Sequence, residues 1–221
     1  MSLKLIVGNK TYSSWSLRPW LALSAAGIAF EEEVVPLDTD AFRARLGALG
    51  AAGRVPVLVD GDALVWESLA IIDWAAERHP GLWPSDPRAR ALARSIATEM
   101  HAGFSAVRSE LPMNLARPAE PRALSPKGEA DVARILGIWG QARARFGAGG
   151  PFLFGGFSAA DAMFAPVAAR FHTYQVPLDA VGAAYVAAIH AEPNFVRWRT
   201  AALAEPWVVA EDEIDWPLVK R

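Results

Sequence analysis

The spacing of apolar residues changes character partway along the chain, and this change limits the folds open to it. Up to about Glu77, short apolar runs typical of strands alternate with segments of helical spacing. Beyond about residue 88, apolar residues recur at helical spacing alone. The sequence therefore predicts an α/β domain over residues 1–80 and an all-helical domain over residues 88–221.

The first domain is predicted to have the element order βαβαββα. Its strongest local signal is a hairpin, in which two apolar runs flank the turn at Asp60–Asp62. A hairpin is antiparallel, so the sheet is expected to be mixed. Ser16 is the predicted N-cap of the first helix, with Pro19 in its first turn. In chain order, the predicted elements cover 3–8, 15–26, 30–37, 42–49, 57–59, 63–66 and 68–77.

A proline-rich segment, residues 80–87, is the predicted linker, and its Trp83 is expected to dock against the protein. The helical domain then shows clear start signals. Ser125 precedes Pro126 at a predicted first helical position, and Ser158–Asp161 has the pattern of a capping box. The remaining helical signals are a stripe from Leu92 through Phe104 to Leu111 and segments at about 179–191 and 194–204.

Composition excludes several classes of protein. The 22 basic and 24 acidic residues give a net charge of -2 with no basic stripe, which argues against a nucleic-acid partner. No apolar run reaches the roughly 20 residues that a membrane helix needs. The start of the chain lacks a signal-peptide pattern, which favours a cytoplasmic protein. The four histidines have no metal-ligand spacing, so no metal is expected.

Ser13 and Ser14 lie where the first strand leads into a helix. A helix N-terminus gathers free N–H groups and positive potential, which suits an anionic ligand atom. The alternative is that these serines only cap the helix. Because the chain has no cysteine, any sulfur chemistry must use a thiol that arrives with a ligand.

Two further junctions can contact a ligand. At Arg54-Val55-Pro56, a proline stands at the start of a predicted strand. One interpretation is that Pro56 only prevents unwanted pairing at the edge of the sheet. The other is that the bond before Pro56 is cis and exposes the Val55 main chain to an extended peptide ligand. At Glu67-Ser68 a strand ends and a helix begins. The carboxylate of Glu67 could hold an ammonium group while the helix N-terminus holds a carboxylate, or Glu67 could be a solvated surface charge.

These motifs together resemble a known family. The βαβαββα unit with Val55-Pro56 and Glu67-Ser68 resembles the thioredoxin-like domain of glutathione S-transferases, and Ser158–Asp161 resembles the helix cap of their helical second domain. Ser13–Ser16 with Glu67–Ile72 is most similar to the zeta-like, maleylacetoacetate isomerase-like branch. The resemblance implies a detoxifying transferase that takes glutathione as co-substrate and works as a homodimer.

The resemblance also implies roles for single residues. Ser13 matches the hydroxyl that donates to the glutathione thiolate, with Ser14 as the alternative. Arg54 and Val55 are expected to bind glutathione at its cysteinyl part, and Glu67 and Ser68 at its γ-glutamyl end. Asn114 is a weaker match to a ligand contact in the second domain.

The second substrate is expected between the domains, in a pocket with an aromatic and apolar lining. A lining of this kind favours a hydrophobic electrophile. The residues predicted for this pocket are Tyr12, Trp15, His101, Phe104, Arg108 and Asn114.

The sequence departs from the zeta pattern at two points. Trp15 stands where that branch has a cysteine, and Arg170 has the wrong offset to match its substrate-binding arginine. Three alternatives therefore stay open. They are a glutathione-dependent isomerase of maleyl-type acids with a cationic pocket from Arg18 or Arg108, a non-catalytic binding module, and a serine hydrolase, which lacks the expected nucleophile motif.

Overall fold

The structure is a computed structural model that describes residues 3–50 and 53–214. Parts of three predicted segments lie outside this range: 1–2 of the first domain, 51–52 of a loop, and 215–221 of the second domain. The strands are β1 (Lys4–Val7), β2 (Glu31–Val34), β3 (Val57–Asp60) and β4 (Ala63–Trp66). The α-helices are α1 (Ser14–Ala25), α2 (Asp40–Leu49), α3 (Ser68–Arg78), α4 (Pro87–Ala102), α5 (Ser105–Glu110), α6 (Pro126–Phe146), α7 (Ala159–Thr173), α8 (Ala180–Ala191) and α9 (Pro193–Leu203), with short 3₁₀ turns at Pro80–Leu82 and Ala210–Asp212.

The four strands form one sheet in the order β2-β1-β3-β4. β1 runs parallel to β2 and antiparallel to β3, and β3 pairs with β4 as the predicted hairpin, with Val57 opposite Trp66. The mixed βαβαββα domain and the helical domain after it are confirmed. The ends of β1 and β4 lead into the N-termini of α1 and α3, so two helix starts lie at this edge of the domain.

The predicted cap of α1 was wrong by one turn. Ser13, not Ser16, is the N-cap, because its Oγ accepts the N–H of Ser16 at 3.3 Å. Pro19 therefore lies in the second turn rather than the first, inside the helix. This earlier start places Ser14 and Trp15 within the first turn of α1.

In the helical domain, Ser125 caps α6 with Pro126 at the first position, and Ser158 and Asp161 form a reciprocal capping box, both as predicted. The long stripe through Phe104 is two helices instead of one. The chain breaks at Gly103–Phe104, where Phe104 has a φ of 61°. A Cβ at position 103 would lie 2.9 Å from the Glu99 carbonyl oxygen, which explains the glycine.

One apolar core connects both parts of the chain. α1 packs against α7, and this contact holds the loop between β1 and α1 against the helical domain. Trp83 is buried as predicted, and its Nε1–H donates to Asp73 at 3.1 Å. Among the described helices, none combines the length and apolar character needed to cross a bilayer.

Candidate functional site

The start of α1 carries two serine hydroxyls with different partners. The Ser13 hydroxyl donates to Ser16 Oγ at 2.8 Å, and Ser16 Oγ also accepts the N–H of Gly8 at 3.1 Å. The Ser14 hydroxyl oxygen accepts from Nη2 of Arg170 on α7 at 3.4 Å. Ser13 thus belongs to the helix cap, whereas Ser14 faces the helical domain.

A cavity of about 110 Å³ lies at the edge where α1 and α3 begin. It brings together the predicted glutathione contacts of both junctions and one predicted pocket residue. Its lining residues are Trp15, Arg54, Val55, Pro56, Trp66, Glu67 and Ser68. The peptide bond between Val55 and Pro56 is cis, as predicted.

Glu67 and Ser68 form the α3 side of this cavity. Glu67 has a φ of 72°, a conformation that is costly for a residue with a side chain and that clusters at functional sites. Its carboxylate is half exposed and lies 3.7 Å from Nε2 of His101. The Ser68 side chain is buried, and its Oγ has no hydrogen-bond partner within the described residues. A carboxylate beside an unpartnered hydroxyl at a helix N-terminus can bind a zwitterionic group.

The predicted pocket residues separate into two groups. Trp15 packs edge-to-face on His101, with ring centroids 5.3 Å apart, and lies 4.6 Å from the guanidinium carbon of Arg108. Burial lowers the pKa of His101, so its imidazole is neutral at pH 7. Phe104 is largely buried at the break before α5. Trp15, His101 and Arg108 therefore form one surface next to the cavity.

Tyr12 and Asn114 lie elsewhere. The Tyr12 hydroxyl donates to Glu213 at 2.5 Å and is buried. Asn114 Oδ1 accepts the N–H groups of Ala116 and Arg117, both at 3.1 Å, and so organises a turn. Neither side chain lines the cavity beside Val55.

The loop before α1 is fastened by residues from the far end of the chain. The Glu205 carboxylate accepts the N–H groups of Lys10 and Thr11 at 2.9 and 3.2 Å. The indole N–H of Trp198 donates to the Lys10 carbonyl at 2.9 Å, and the Thr11 hydroxyl donates to the Ala202 carbonyl at 2.9 Å. These contacts hold the loop that ends in the two serines.

Two further arginines lie in this region: Arg18, which was expected only for the alternative with a cationic pocket, and Arg170. Arg18 is fully buried, and its Nε donates to the Met163 carbonyl at 3.1 Å. Arg170 is also buried and donates from Nε to the Leu111 carbonyl at 2.7 Å, although its offset had argued against a role. Burial lowers the pKa of both groups, to about 10 for Arg170, and Arg108 adds to each shift. A basic residue inside an apolar helix stripe was the signal that could have revealed them.

These features define a class of protein, namely a thioredoxin-like domain joined to an all-helical domain with a cavity at the starts of α1 and α3. A model of the glutathione S-transferase N-terminal domain matches residues 12–78, and one of the C-terminal domain matches residues 90–202. The chain belongs to the glutathione S-transferase family.

Three similar proteins agree with this assignment. A probable maleylacetoacetate isomerase of Caenorhabditis elegans is 35% identical over 94 residues, which are 42% of this chain and 44% of that protein. The curated relatives are thus matched over less than half of their length. The zeta-class bacterial maleyl pyruvate isomerase is 23% identical, with a TM-score of 0.69 over 93% of this chain and 100% of that one.

A glutathione transferase homologue from Burkholderia, solved with bound glutathione, also has a TM-score of 0.69, at 20% identity, over 93% of this chain and 100% of its own. At these identities the two structures show the fold. The relative in Caenorhabditis elegans has the name of the branch that the sequence motifs resemble.

Proposed function

We propose that this protein is a glutathione S-transferase in which the Ser13 hydroxyl stabilises the glutathione thiolate for attack on an electrophile. One observation carries the proposal. Trp15 in the first turn of α1, Val55 and the Glu67-Ser68 junction line one cavity at the edge of the thioredoxin-like domain, and Ser13 caps the same helix. Membership of the family and the bound glutathione in the Burkholderia homologue support the choice of co-substrate.

Glutathione lies along the cavity as an extended peptide in this proposal. Its cysteinyl main chain pairs with Val55, close to Arg54. Its γ-glutamyl ammonium faces the half-exposed Glu67 carboxylate, and its γ-glutamyl carboxylate takes the Ser68 hydroxyl and the N–H groups at the start of α3. This places the sulfur toward the start of α1.

The thiol needs help to ionise near pH 7. A free thiol has a pKa near 8.5, so about 3 % is thiolate at pH 7. A hydrogen bond to a charged group contributes about 1.5–3 kcal/mol, or about one to two pK units. The Ser13 hydroxyl lies at a helix N-terminus and can turn from Ser16 toward the sulfur. The positive charges of Arg18, Arg108 and Arg170 favour the same ionisation.

In the transfer reaction, the thiolate sulfur forms a bond to an electrophilic carbon, and the leaving group departs with its bonding electron pair. The pocket surface of Trp15 and His101 offers aromatic contacts to such a substrate. We propose that the protein carries out this reaction as a homodimer in the cytoplasm, where it detoxifies electrophiles.

A second candidate is the isomerisation of a maleyl-type acid, which the name of the Caenorhabditis elegans relative and the arginines behind Ser14 favour. Here the thiolate adds to the double bond, the new single bond rotates, and elimination returns the thiolate. The double bond changes from cis to trans, and glutathione is not consumed.

Three measurements test these proposals. Titration calorimetry is expected to show glutathione binding, and absence of binding would refute both activities. Consumption of glutathione with an activated chloronitrobenzene then indicates the transferase, whereas cis-to-trans conversion of a maleyl acid at constant glutathione indicates the isomerase. A protein that binds glutathione but does neither would be a binding module.

A further inference from the structure

The loop between β1 and α1 contains a short turn that is closed by its own main chain. The carbonyl oxygen of Asn9 accepts the N–H of Ser13 at 2.8 Å, which closes the turn around Lys10 and Thr11. The side-chain oxygen of Asn9 accepts the N–H of Leu37 at 2.7 Å, which fastens the start of the turn to the segment after β2. Because the turn is closed, a displacement of Lys10 and Thr11 also moves the Ser13 hydroxyl.

Glu205, the second residue after α9, contacts this turn from the helical domain. Its Oε1 accepts the N–H of Lys10 at 2.9 Å, and its Oε2 accepts the N–H of Thr11 at 3.2 Å. The residue is only 8% exposed, and a buried carboxylate is costly unless hydrogen bonds satisfy it. A carboxylate has an acceptor at both positions, whereas an amide of the same shape has an acceptor at only one. The two adjacent N–H groups therefore require the acid at position 205.

Other contacts of the turn do not depend on this carboxylate. The Lys10 ammonium pairs with Glu32 at 2.5 Å, and the indole N–H of Trp198 donates to the Lys10 carbonyl at 2.9 Å. These contacts remain when the Glu205 carboxylate is replaced. The turn is therefore expected to shift rather than to unfold.

A small shift of this turn matters for chemistry at Ser13. A hydrogen bond weakens steeply when it is lengthened or bent. In enzymes, a misplacement of about 1 Å can cost about a hundredfold in rate. The Ser13 hydroxyl thus stabilises a thiolate only if the main chain before it holds its position.

We propose that Glu205 is a positioning residue for thiol activation. By holding the main chain of Lys10 and Thr11, it fixes the Ser13 hydroxyl where that group stabilises the glutathione thiolate. Glu205 acts through the loop and not on the ligand. The proposal rests on the proposed function, and it makes the end of α9 a participant in the activation of the thiol.

The test measures the pKa of the bound glutathione thiol from the ultraviolet absorbance of the thiolate as pH rises. Glu205→Gln keeps the shape of the side chain but turns an amide NH₂ toward a main-chain N–H. The variant is expected to raise the thiol pKa by about one unit, because the Ser13 bond is worth about one to two units. Loss of a negative charge alone would favour the thiolate and lower this pKa. An unchanged or lowered thiol pKa would therefore refute the positioning role.

Glu192→Gln is the matched control, at the other end of α9. Glu192 is 7% exposed, and its carboxylate accepts the N–H of Phe195 at 2.6 Å and Nδ2–H of Asn194 at 2.8 Å. Both substitutions remove one acceptor from a buried carboxylate that has two donors, so both are expected to lower Tm to a similar extent. The thiol pKa is expected to change only in Glu205→Gln. Equal shifts in both variants would indicate general loosening of the helical domain and overturn the proposal.

Two further variants test the route from Glu205 to the thiol. Glu205→Asp keeps both acceptor oxygens on a shorter side chain and is expected to restore part of the lost stabilisation. In a Ser13→Gly background, Glu205→Gln is expected to change the thiol pKa no further, because the group that it positions is already absent. Full additivity of the two substitutions would overturn the route through Ser13.

Binding of S-methylglutathione separates this proposal from the proposed function. The analogue has no thiol, and its contacts at Val55, Glu67 and Ser68 lie on other elements, so titration calorimetry is expected to show equal affinities for wild type and Glu205→Gln. A large loss of affinity in Glu205→Gln would contradict a role limited to the thiol. If both proteins bind the analogue and the thiol pKa is the same, only the positioning role is refuted. If wild type does not bind it, the proposed function fails, and the positioning role fails with it.

Discussion

Removing the Ser13 hydroxyl tests the mechanism most directly, and the structure gives the expected size of the effect. The hydroxyl now donates to Ser16 at 2.8 Å, and it must leave that neutral bond to serve the thiolate. A bond to a charged group contributes about 1.5–3 kcal/mol, and the lost neutral bond about 1 kcal/mol. The net stabilisation of about 0.5–2 kcal/mol corresponds to a loss in rate of about twofold to thirtyfold.

The same substitution also damages the helix cap. Ser13→Ala removes the acceptor for the Ser16 N–H, which costs about 1 kcal/mol of stability and lowers Tm by about 2–4 °C for a chain of this size. Ser13→Gly removes the same hydroxyl but costs only a few tenths of a kcal/mol at an N-cap. The two variants are thus expected to share the kinetic defect and differ in Tm.

The assay is kcat/KM for an aromatic electrophile from pH 6 to 9 at saturating glutathione. The defect is expected to be largest at low pH and to shrink toward pH 9, because the unassisted thiol then ionises by itself. Glutathione affinity is expected to change little. Wild-type rates in Ser13→Gly over the whole range would refute the role of Ser13, and the predicted profile in Ser14→Ala would transfer that role to Ser14.

Two further predictions concern the γ-glutamyl contact and the stability of the helical domain. Glu67→Gln is expected to weaken glutathione binding by about tenfold with kcat retained, because a charge-assisted contact to the ammonium is lost. The control is Glu77→Gln, at the exposed end of the same helix. Equal affinities of the two variants in titration calorimetry would contradict the contact. Burial, His172 and Arg199 lower the pKa of His190 to about 4, below its usual 6.5, so the folded state binds fewer protons than the unfolded state between these values. The free energy of unfolding is therefore expected to fall as pH falls through this window, and urea titrations of His190→Gln should show a shallower dependence than wild type or the exposed His79→Gln; identical slopes in all three would contradict this assignment.

The sequence predicted the elements whose signals are local. The Asp60–Asp62 hairpin, the Ser125-Pro126 start and the Ser158–Asp161 box each depend on adjacent residues, and each is confirmed. The cap of α1 was misplaced because a run of serines offers several caps, and the preference for Ser13 comes from its bond to Ser16. The apolar stripe through Phe104 is divided between two helices because the chain breaks at Gly103, which lies close to the Glu99 carbonyl oxygen. The spacing of apolar residues cannot reveal this close approach.

The proximity of Arg18, Arg108 and Arg170 could not be predicted from the sequence for a different reason. Arg18 and Arg108 are 90 residues apart and Arg108 and Arg170 are 62 residues apart, and the three lie on three different helices, α1, α5 and α7. Arg170 was set aside because its position in the sequence does not match the substrate-binding arginine of the family pattern. In the structure, however, Arg170 on α7 donates a hydrogen bond to the Ser14 hydroxyl. The residues expected to contact glutathione lie at strand ends, so the edge that they share could be predicted from the sequence, whereas contacts between helices required the structure.

The hydrogen bonds of Glu205 to the loop before α1 have a consequence for how the protein matures. They join groups 194 and 195 residues apart in the sequence, so this loop depends on very non-local contacts. Closing such long loops is entropically costly and slow compared with forming local structure. During synthesis the hairpin and α3 can form early, but the serine-bearing loop gains these contacts only after residue 205 has left the ribosome. The ability to activate the glutathione thiol is therefore expected to arise late, after the first domain has formed.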